Sequence, residues 1–463
     1  MKRELVIIGA GAAGLSAAIE ARRQGVEDIL ILERSQYLGG ILRQCIHAGF
    51  GVHKYKTDLC GVEFAHRLRG EVKTLGIEYL TGSFVIDMKA DKTLTVVHPE
   101  KGLFGIQAGA IILAMGCRER SRGALMIPGK RIAGVITAGT AQRYLNLKGY
   151  LPGKKIVILG SGDIGLIMAR QFVLEGAEVK RVVEIMPRSK GLARNISQCL
   201  EDFDIPLCFN STVTDIQGRG RVERVTVAKV DESGRPIPGT EEVIDCDTLL
   251  ISAGLIPENE LTKAAGISLD KSSGGPAVGR ELMTDCEGVF ACGNVLHIHD
   301  LVDHVSAEGS YAGACAAKYL GRGGEGELCP PDFGQGEPCY EPGKKHMICL
   351  NCPRGCRLSA EVDERGELVS VSGNSCPRGE SFARQELVTP MRVLSCLMRV
   401  EGREQVFAVR TKRPIPKALM RECAEYIYRN PVEPERLPIH VGDVIVENIL
   451  GSGADIVATM DAE

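Results

Sequence analysis

Short apolar runs punctuate the first 320 residues. Leu5–Ile8, Ile29–Leu32 and Ile156–Leu159 are uninterrupted and rich in β-branched residues, Val179–Val183 carries Lys180 and Arg181 between its valines, and helical stretches separate them. Predominantly apolar strands alternating with helices are the pattern of a parallel α/β sheet covered on both faces. Strand Ala110–Ala114 ends at Met115-Gly116, strand Thr248–Ile251 ends at Ala253-Gly254, and a helical stretch runs from Val305 to Tyr319.

Beyond residue 320 the pattern changes. Residues 321–345 hold seven Gly and four Pro in 25 positions. Such a stretch has little to bury and reads as a linker. Alternating strands follow at Leu358–Val362 and Glu367–Val371 around a turn at Asp363–Gly366. A helix at Lys417–Arg429 and a strand pair at Asp443–Val446 and Asp455–Ala458 complete a small α+β module over 346–463.

Charge and composition narrow the function. Lys+Arg number 56 against Asp+Glu 59, a net charge of −3. That balance argues against nucleic-acid or membrane-surface binding, which needs a basic excess. Aromatics at 5% with no Trp argue against sugar stacking or an aromatic cage. The basic start Met1–Glu4 and uncharged Leu5–Ile19 resemble a secretory signal, but Gly9, Gly11 and Gly14 interrupt the run and no cleavage pattern follows. No segment approaches the ~18 apolar residues of a membrane span. Seventeen cysteines without an export signal point to a reducing, cytoplasmic setting, where cysteine clusters bind metals or do chemistry.

An internal repeat dominates the α/β part. Gly9-Ala10-Gly11-Ala12-Ala13-Gly14 follows the strand Leu5–Ile8, and Glu33 ends the next strand nineteen residues after Gly14. Gly160-Ser161-Gly162-Asp163-Ile164-Gly165 and Glu184 repeat every element 151 positions later. In such a fingerprint the first glycine makes the tight turn, the second lets backbone approach a pyrophosphate, and the third lets helix and strand pack closely. The acid accepts bonds from ribose hydroxyls, and the phosphates sit at the helix N-terminus. Two copies in strand–turn–helix context predict two bound dinucleotides. Glu184 would repel a 2′-phosphate and so favours NAD(H) over NADPH at the second site, although Arg188 and Lys190 stand close by.

These residues, together with Arg34, Gly39-Gly40, Gly116 and the late Gly293-Asn294 pair, carry a resemblance. Residues 1–320 resemble the two-domain flavoproteins related to thioredoxin reductase and the pyridine nucleotide-disulfide oxidoreductases. The resemblance implies an FAD-binding domain at 1–116 and 255–320, with an NAD(P)H-binding domain at 117–254 inserted in it. It assigns Gly9, Gly11, Ala12, Ala13, Gly14, Glu33, Arg34, Gly39, Gly40 and Gly116 to FAD, and Gly160, Gly162, Asp163, Ile164, Gly165 and Glu184 to the nicotinamide nucleotide. Gly293-Asn294 would hold the ribityl and phosphate groups, with Asn294 where the family usually has Asp. The helix beginning near Val305 would aim its N-terminus at the flavin pyrimidine.

The redox disulfide of that family is missing: no CxxC lies in the second nucleotide domain, and Gly39–Gly51 contains only Cys45. Cys45 is either a flavin-proximal thiol or a packed loop cysteine. His47, His53, His297, His299 and His304 are expected to bond a cofactor or backbone rather than a metal. After the linker, Cys349, Cys352, Cys356 and Cys376 stand at C-x2-C-x3-C-x19-C, with Cys339 and His346 as spare ligands. Four thiolates suit a [4Fe–4S] cluster or tetrahedral zinc, and a zinc ribbon would normally bring its second pair as another CxxC. The triple with a distant fourth resembles the iron–sulfur motif of molybdopterin oxidoreductases. The whole 346–463 segment resembles a small cysteine-motif domain encoded beside anaerobic glycerol-3-phosphate dehydrogenases, through Lys412–Lys417 (KRPIPK) and GDVIVENILGSGADIVAT.

Nicotinamide exchanges two electrons, an iron–sulfur centre takes one, and a flavin can do both. No substrate domain, catalytic triad or acid–base pair is evident. The expected protein is therefore an FAD-dependent NAD(H) oxidoreductase serving as the electron-transfer subunit of a larger dehydrogenase, with a glycerol 3-phosphate-oxidising flavoprotein as the implied partner. The alpha subunits of opine, sarcosine and hydroxyproline dehydrogenase complexes have similar architecture. A self-sufficient NADH oxidase or peroxidase using Cys45, and a non-catalytic assembly protein with a zinc site, are the other readings.

Overall fold

The computed structural model describes every residue except 324–329, 332–344 and 364–367. Most of the 321–345 stretch, Cys339 included, and most of the turn at Asp363–Gly366 lie outside the described residues. The chain divides into two units. One comprises Met1–Cys45, Gly49–Arg118 and Leu255–Gly334; the other comprises Ile46–Ala48, Glu119–Gly254 and Gln335–Glu463.

The sheet of the first unit runs in the order Glu78–Leu80, Ile29–Leu32, Lys2–Ile8, Gly102–Leu113, Thr93–His98, Phe84–Met88, and Val289–Ala291 also pairs with Gly102–Leu113. Pairing is parallel from Glu78–Leu80 through Gly102–Leu113 and on to Val289–Ala291, and antiparallel along the Thr93–His98 side. Successive side chains point to opposite faces. Leu5, Ile7, Ile29 and Ile31 pack with Leu15 and Phe64, whereas Val6, Ile8, Leu30 and Leu32 pack with Val85 and Leu94. Burial on both sides explains the unbroken apolar runs. The first strand starts at Lys2 rather than Leu5, because its neighbour is long enough to pair Lys2 with Gln107. The expected strand Ala110–Ala114 is the final part of that neighbour.

Helix Ala12–Arg23 lies almost backbone-to-backbone against helix Val302–Tyr319. A Cβ added at Gly309 would collide with the Ala13 carbonyl oxygen, and one at Gly313 with that of Ala17. The second helix begins three residues before Val305, with Asp303 in its first turn, where a negative charge is favoured. The Asp303 carboxylate is buried and accepts the N–H groups of Gly51, His53 and Lys54 at 3.0, 3.1 and 2.8 Å.

The second unit contains a parallel sheet ordered Val135–Thr137, Thr248–Ile251, Lys155–Leu159, Glu178–Val183, Leu207–Cys208. A three-stranded antiparallel sheet, Ser211–Gln217, Arg224–Lys229 and Glu242–Asp245, accompanies it. The C-terminal residues of this unit add Lys345–Ile348, Arg357–Val362 and Leu368–Ser372 as one antiparallel sheet. Ser395–Arg399, Val406–Thr411, Ile456–Ala458 and Val444–Val446 form another. The stretch read as helix Lys417–Arg429 is a 3-10 turn, Lys417–Leu419, leading into helix Met420–Arg429. Helix Pro377–Val388 was not expected from the sequence. Pro377 occupies its first turn, a position that tolerates proline because the N–H there is unpaired anyway.

Candidate functional site

The two fingerprints have the same construction. In the first, Gly9 has φ +105°, and a Cβ there would strike the Ala114 carbonyl. In the second, Gly160 has φ +98° and would strike that of Ser252. Only glycine fits either turn. A Cβ on Gly14 would meet the Gly9 carbonyl, and one on Gly165 would come within 2.8 Å of the Ser252 side chain. Gly11 differs: it caps helix Ala12–Arg23 with φ −78°, and a Cβ there meets nothing within 4 Å. Gly162 caps Asp163–Leu174 in the same way. The fold needs Gly9 and Gly14, whereas Gly11 is free for a ligand to approach.

Each acid is tied back to its own turn. Glu33 is buried and accepts the Ala10 N–H at 2.9 Å on Oε2 and the Ser35 N–H at 2.8 Å on Oε1. Glu184 accepts the Ser161 N–H at 2.8 Å and its hydroxyl at 2.6 Å on Oε2, and the Met186 N–H at 2.9 Å on Oε1. A carboxylate offers about four lone-pair positions, so Glu33 keeps two and Glu184 one for ribose hydroxyls. Gly39 donates its N–H to the Ala10 carbonyl at 2.8 Å, and a Cβ on Gly40 would lie 3.0 Å from Gly11 Cα, so this loop edges the first cradle. Arg34 is exposed beside it. Asp163 Oδ1 fixes the loop after the second acid, accepting the Leu192 N–H and the Asn195 amide at 2.8 Å each.

Gly293 joins the first cradle from the far end of the unit. Its Cβ would lie 2.8 Å from the Ala13 Cβ and 3.3 Å from Val305 Cγ1. Asn294 Oδ1 accepts the His299 N–H at 3.1 Å, and its amide reaches Cys117 Sγ at 3.6 Å. Gly116, with φ +74°, accepts the Glu258 N–H at 3.0 Å. These residues fit an elongated dinucleotide: glycine backbone, a helix N-terminus, an acid with spare lone pairs and a second loop meet at the C-terminal ends of the parallel strands. Gly11→Val is predicted to fold normally, since its space is open and its φ ordinary, yet to purify without flavin. A folded Gly11→Val protein with full flavin content would refute the assignment of the first cradle.

In the second unit the cysteine loop is closed by its own backbone. The Cys349 N–H donates to the Cys356 carbonyl at 2.9 Å, and the Gly355 N–H to that of Cys352 at 3.3 Å. Cys349 and Cys356 pack with Leu358, Phe382 and Ala383. Cys376 caps helix Pro377–Val388, and the Asn351 amide donates to the Arg378 carbonyl at 3.0 Å, bringing the fourth cysteine beside the other three. The Arg378 side chain holds the Cys376 thiol below its ordinary range. Burial pushes the Cys349 thiol up, and the thiols of Cys352, Cys356 and Cys376 add to that by repulsion. Cys349, set among the other three thiols, and Cys376, at a helix N-terminus beside arginine, have the surroundings in which thiols become thiolate ligands. His346 Nδ1 is 3.1 Å from the Ser359 hydroxyl.

That module is fastened to the dinucleotide portion of its unit. Arg392 reaches both oxygens of Asp202 at 2.6 and 3.1 Å and both of Glu386 at 2.8 and 2.7 Å. Lys417 Nζ meets Asp202 Oδ1 at 2.8 Å, and Arg170 donates to the Val393 carbonyl at 2.7 Å. Burial alone would raise the Asp202 carboxyl, but the bonds from Arg392 and Lys417 hold it below the ordinary value. A Cβ on Gly355 would lie 3.3 Å from the Arg194 backbone nitrogen, so the cysteine loop rests on the start of helix Ala193–Cys199, which Asp163 holds.

Among the other cysteines, Cys45 packs against Gly61, and burial pushes its thiol up to about 12, which suits packing better than thiolate chemistry. Cys60, Cys199, Cys246, Cys292 and Cys315 are buried and behave as apolar filler. Burial lowers His47 to about 4, with its Nδ1 3.1 Å from the Ala48 carbonyl oxygen. The His304 and His53 rings lie 6.2 Å apart. Asp303, Glu308, Asp202 and Arg392 carried no local signal in the sequence, because their partners lie far along the chain.

Residues 3–309 match the family described as pyridine nucleotide-disulphide oxidoreductase. Residues 377–460 match a second family, described as protein of unknown function (DUF1667), which begins just after Cys376. The chain is 28% identical over 334 residues to a thioredoxin reductase of Listeria monocytogenes, covering 68% of this chain and 93% of that one. It is 28% identical over 324 residues to the hydrogen cyanide synthase subunit HcnB of Pseudomonas aeruginosa, covering 66% of this chain and 67% of that one. The fold is similar to that of the T. acidophilum thioredoxin reductase, with a TM-score of 0.56 at 24% identity over 69% of this chain and 97% of that one. Among the described residues no helix is long and apolar enough to cross a membrane. With its α/β fold and paired cradles, the chain belongs to the pyridine nucleotide-disulphide oxidoreductases and is a flavin-dependent NAD(P)H oxidoreductase, a family for which FAD and NAD(P)H are the expected cofactors.

Proposed function

We propose that this chain is the electron-transfer subunit of a dehydrogenase complex, carrying electrons between NAD(H), FAD and a [4Fe–4S] cluster held by Cys349, Cys352, Cys356 and Cys376. The observation that carries the reading is the gathering of Cys349, Cys352 and Cys356 in one loop, with Cys376 brought to it by the Asn351–Arg378 bond, against the dinucleotide portion of the same unit. Gly9, Gly11, Ala12, Ala13 and Gly14 would cradle the FAD pyrophosphate, Glu33 its ribose, and Gly293 and Asn294 its ribityl chain. Gly160, Gly162, Asp163, Ile164, Gly165 and Glu184 would do the same for NAD(H). A bound flavin supplies the conversion between two-electron and one-electron transfer. Iron–sulfur is favoured over zinc by spacing. A zinc ribbon would normally bring its second pair as another CxxC, and here only Cys376 returns.

The subunit role is supported by the relatives named as parts of larger enzymes, HcnB and the glutamate synthase small chain of Halomonas elongata. The partner inferred from the C-terminal resemblance is a flavoprotein that oxidises glycerol 3-phosphate. Protein purified without oxygen should contain about four iron and four sulfide per chain with one FAD. Its flavin should bleach with NADH well before NADPH, because Glu184 disfavours a 2′-phosphate. Zinc in place of iron would overturn the cluster, and equal rates with NADH and NADPH would overturn the nucleotide preference.

A further inference from the structure

Outside the cradles and the cysteine loop, three ligand-type side chains of the first unit converge. His297 and His299 follow the Gly293–Val295 turn, and Glu308 reaches them from helix Val302–Tyr319. His299 Nε2 lies 3.1 Å from Glu308 Oε2, and His297 Nδ1 lies 3.7 Å from Glu308 Oε1. The two imidazole centroids are 4.1 Å apart, and one ligand atom from each residue falls within 4.8 Å of the others. Hydrogen bonding does not account for the whole arrangement. A contact of 3.7 Å is too long for one, yet both rings are held against the same carboxylate.

We propose that His297, His299 and Glu308 bind one divalent first-row transition-metal ion, with zinc as the type. Two imidazoles and a carboxylate are a donor set that zinc and ferrous iron accept. Tetrahedral bonds of that kind place ligand atoms about 3.3 Å apart, close to the 3.1 Å between His299 Nε2 and Glu308 Oε2 and inside the 4.8 Å that bounds the set. The side chains of His299 and Glu308 are 4% and 6% exposed, and that of His297 is 45% exposed. Two ligands are thus anchored and the third faces solvent, where water would complete the coordination. A supporting layer is also in place: the Gly293 N–H donates to Glu308 Oε2 at 2.5 Å, and Asn294 Oδ1 accepts the His299 N–H at 3.1 Å. Such outer contacts fix the aim of metal ligands. The bound ion would pin the Gly293-Asn294 turn to the helix, and its existence does not depend on what the four cysteines hold.

The test is a cobalt(II) titration of the full-length protein after treatment with a chelator. Wild type should bind one equivalent that gives weak ligand-field bands without thiolate-to-cobalt charge transfer, which separates it from cobalt in the cysteine loop. Affinity for that equivalent should fall at least about tenfold in His297→Ala and in Glu308→Gln, and stay unchanged in Cys356→Ser. His297→Ala alters an exposed side chain and keeps the test decisive if Glu308→Gln does not fold. Absence of the thiolate-free equivalent in wild type, or equal affinity in His297→Ala, overturns the site and leaves only a hydrogen-bonded His299–Glu308 pair.

Discussion

Cys356→Ser is expected to lose most of its iron and sulfide while keeping its FAD and its reduction by NADH. Cys356 is buried among Leu358, Phe382 and Ala383, and its carbonyl accepts the Cys349 N–H, so serine leaves the loop backbone as it is. The change is chemical. A hydroxyl is a harder and poorer ligand for iron than a thiolate, and a four-thiolate centre tolerates the loss of one ligand badly. Its packing is with Leu358, Phe382 and Ala383 of its own module, which is why flavin content should hold. Transfer to a one-electron acceptor should fall along with the iron. Full iron and full transfer in the variant would show that these cysteines are not the electron route. The same experiment separates the competing use of Cys45, whose thiol burial holds near 12, since a Cys45-based oxidase would be indifferent to Cys356.

Arg392→Met is expected to cost about 3–5 kcal/mol, the scale seen when one partner of a buried ion pair is removed. The side chains of Arg392 and Asp202 are each 6% exposed, so losing the guanidinium strands a carboxylate that Lys417 alone must neutralise. The C-terminal module should then become susceptible to proteolysis before the rest of the chain unfolds. Asp202 also makes the attachment pH-dependent. Its folded value lies below the ordinary one, so its contribution is complete above about pH 4 and disappears as pH falls through the folded value. Asp202→Asn should flatten that acid limb of the stability curve. Unchanged denaturant midpoints in Arg392→Met, or an unaltered acid limb in Asp202→Asn, would show that the network does not hold the module.

The duplication at Gly9–Glu33 and Gly160–Glu184 could be read directly because each copy is a strand, a turn and a helix in sequence. Local sterics confine Gly9 and Gly160 to positive φ, and the hydrogen bonds that fix each acid span only 23 residues. The cysteine spacing was equally local for three of its four members. Helix Pro377–Val388 escaped because Pro377, Arg378 and Gly379 favour a turn on propensity; packing of Phe382 and Ala383 under the cysteine loop outweighs that preference. Gly309 and Gly313 are needed because the Ala12–Arg23 helix crosses them, a contact no local pattern announces. Asp202 and Arg392 stand 190 residues apart, and no pattern in either neighbourhood names the other. Their pairing exists because the fold excludes water from a place where charged groups meet. A charge removed from water needs a partner in space rather than in sequence.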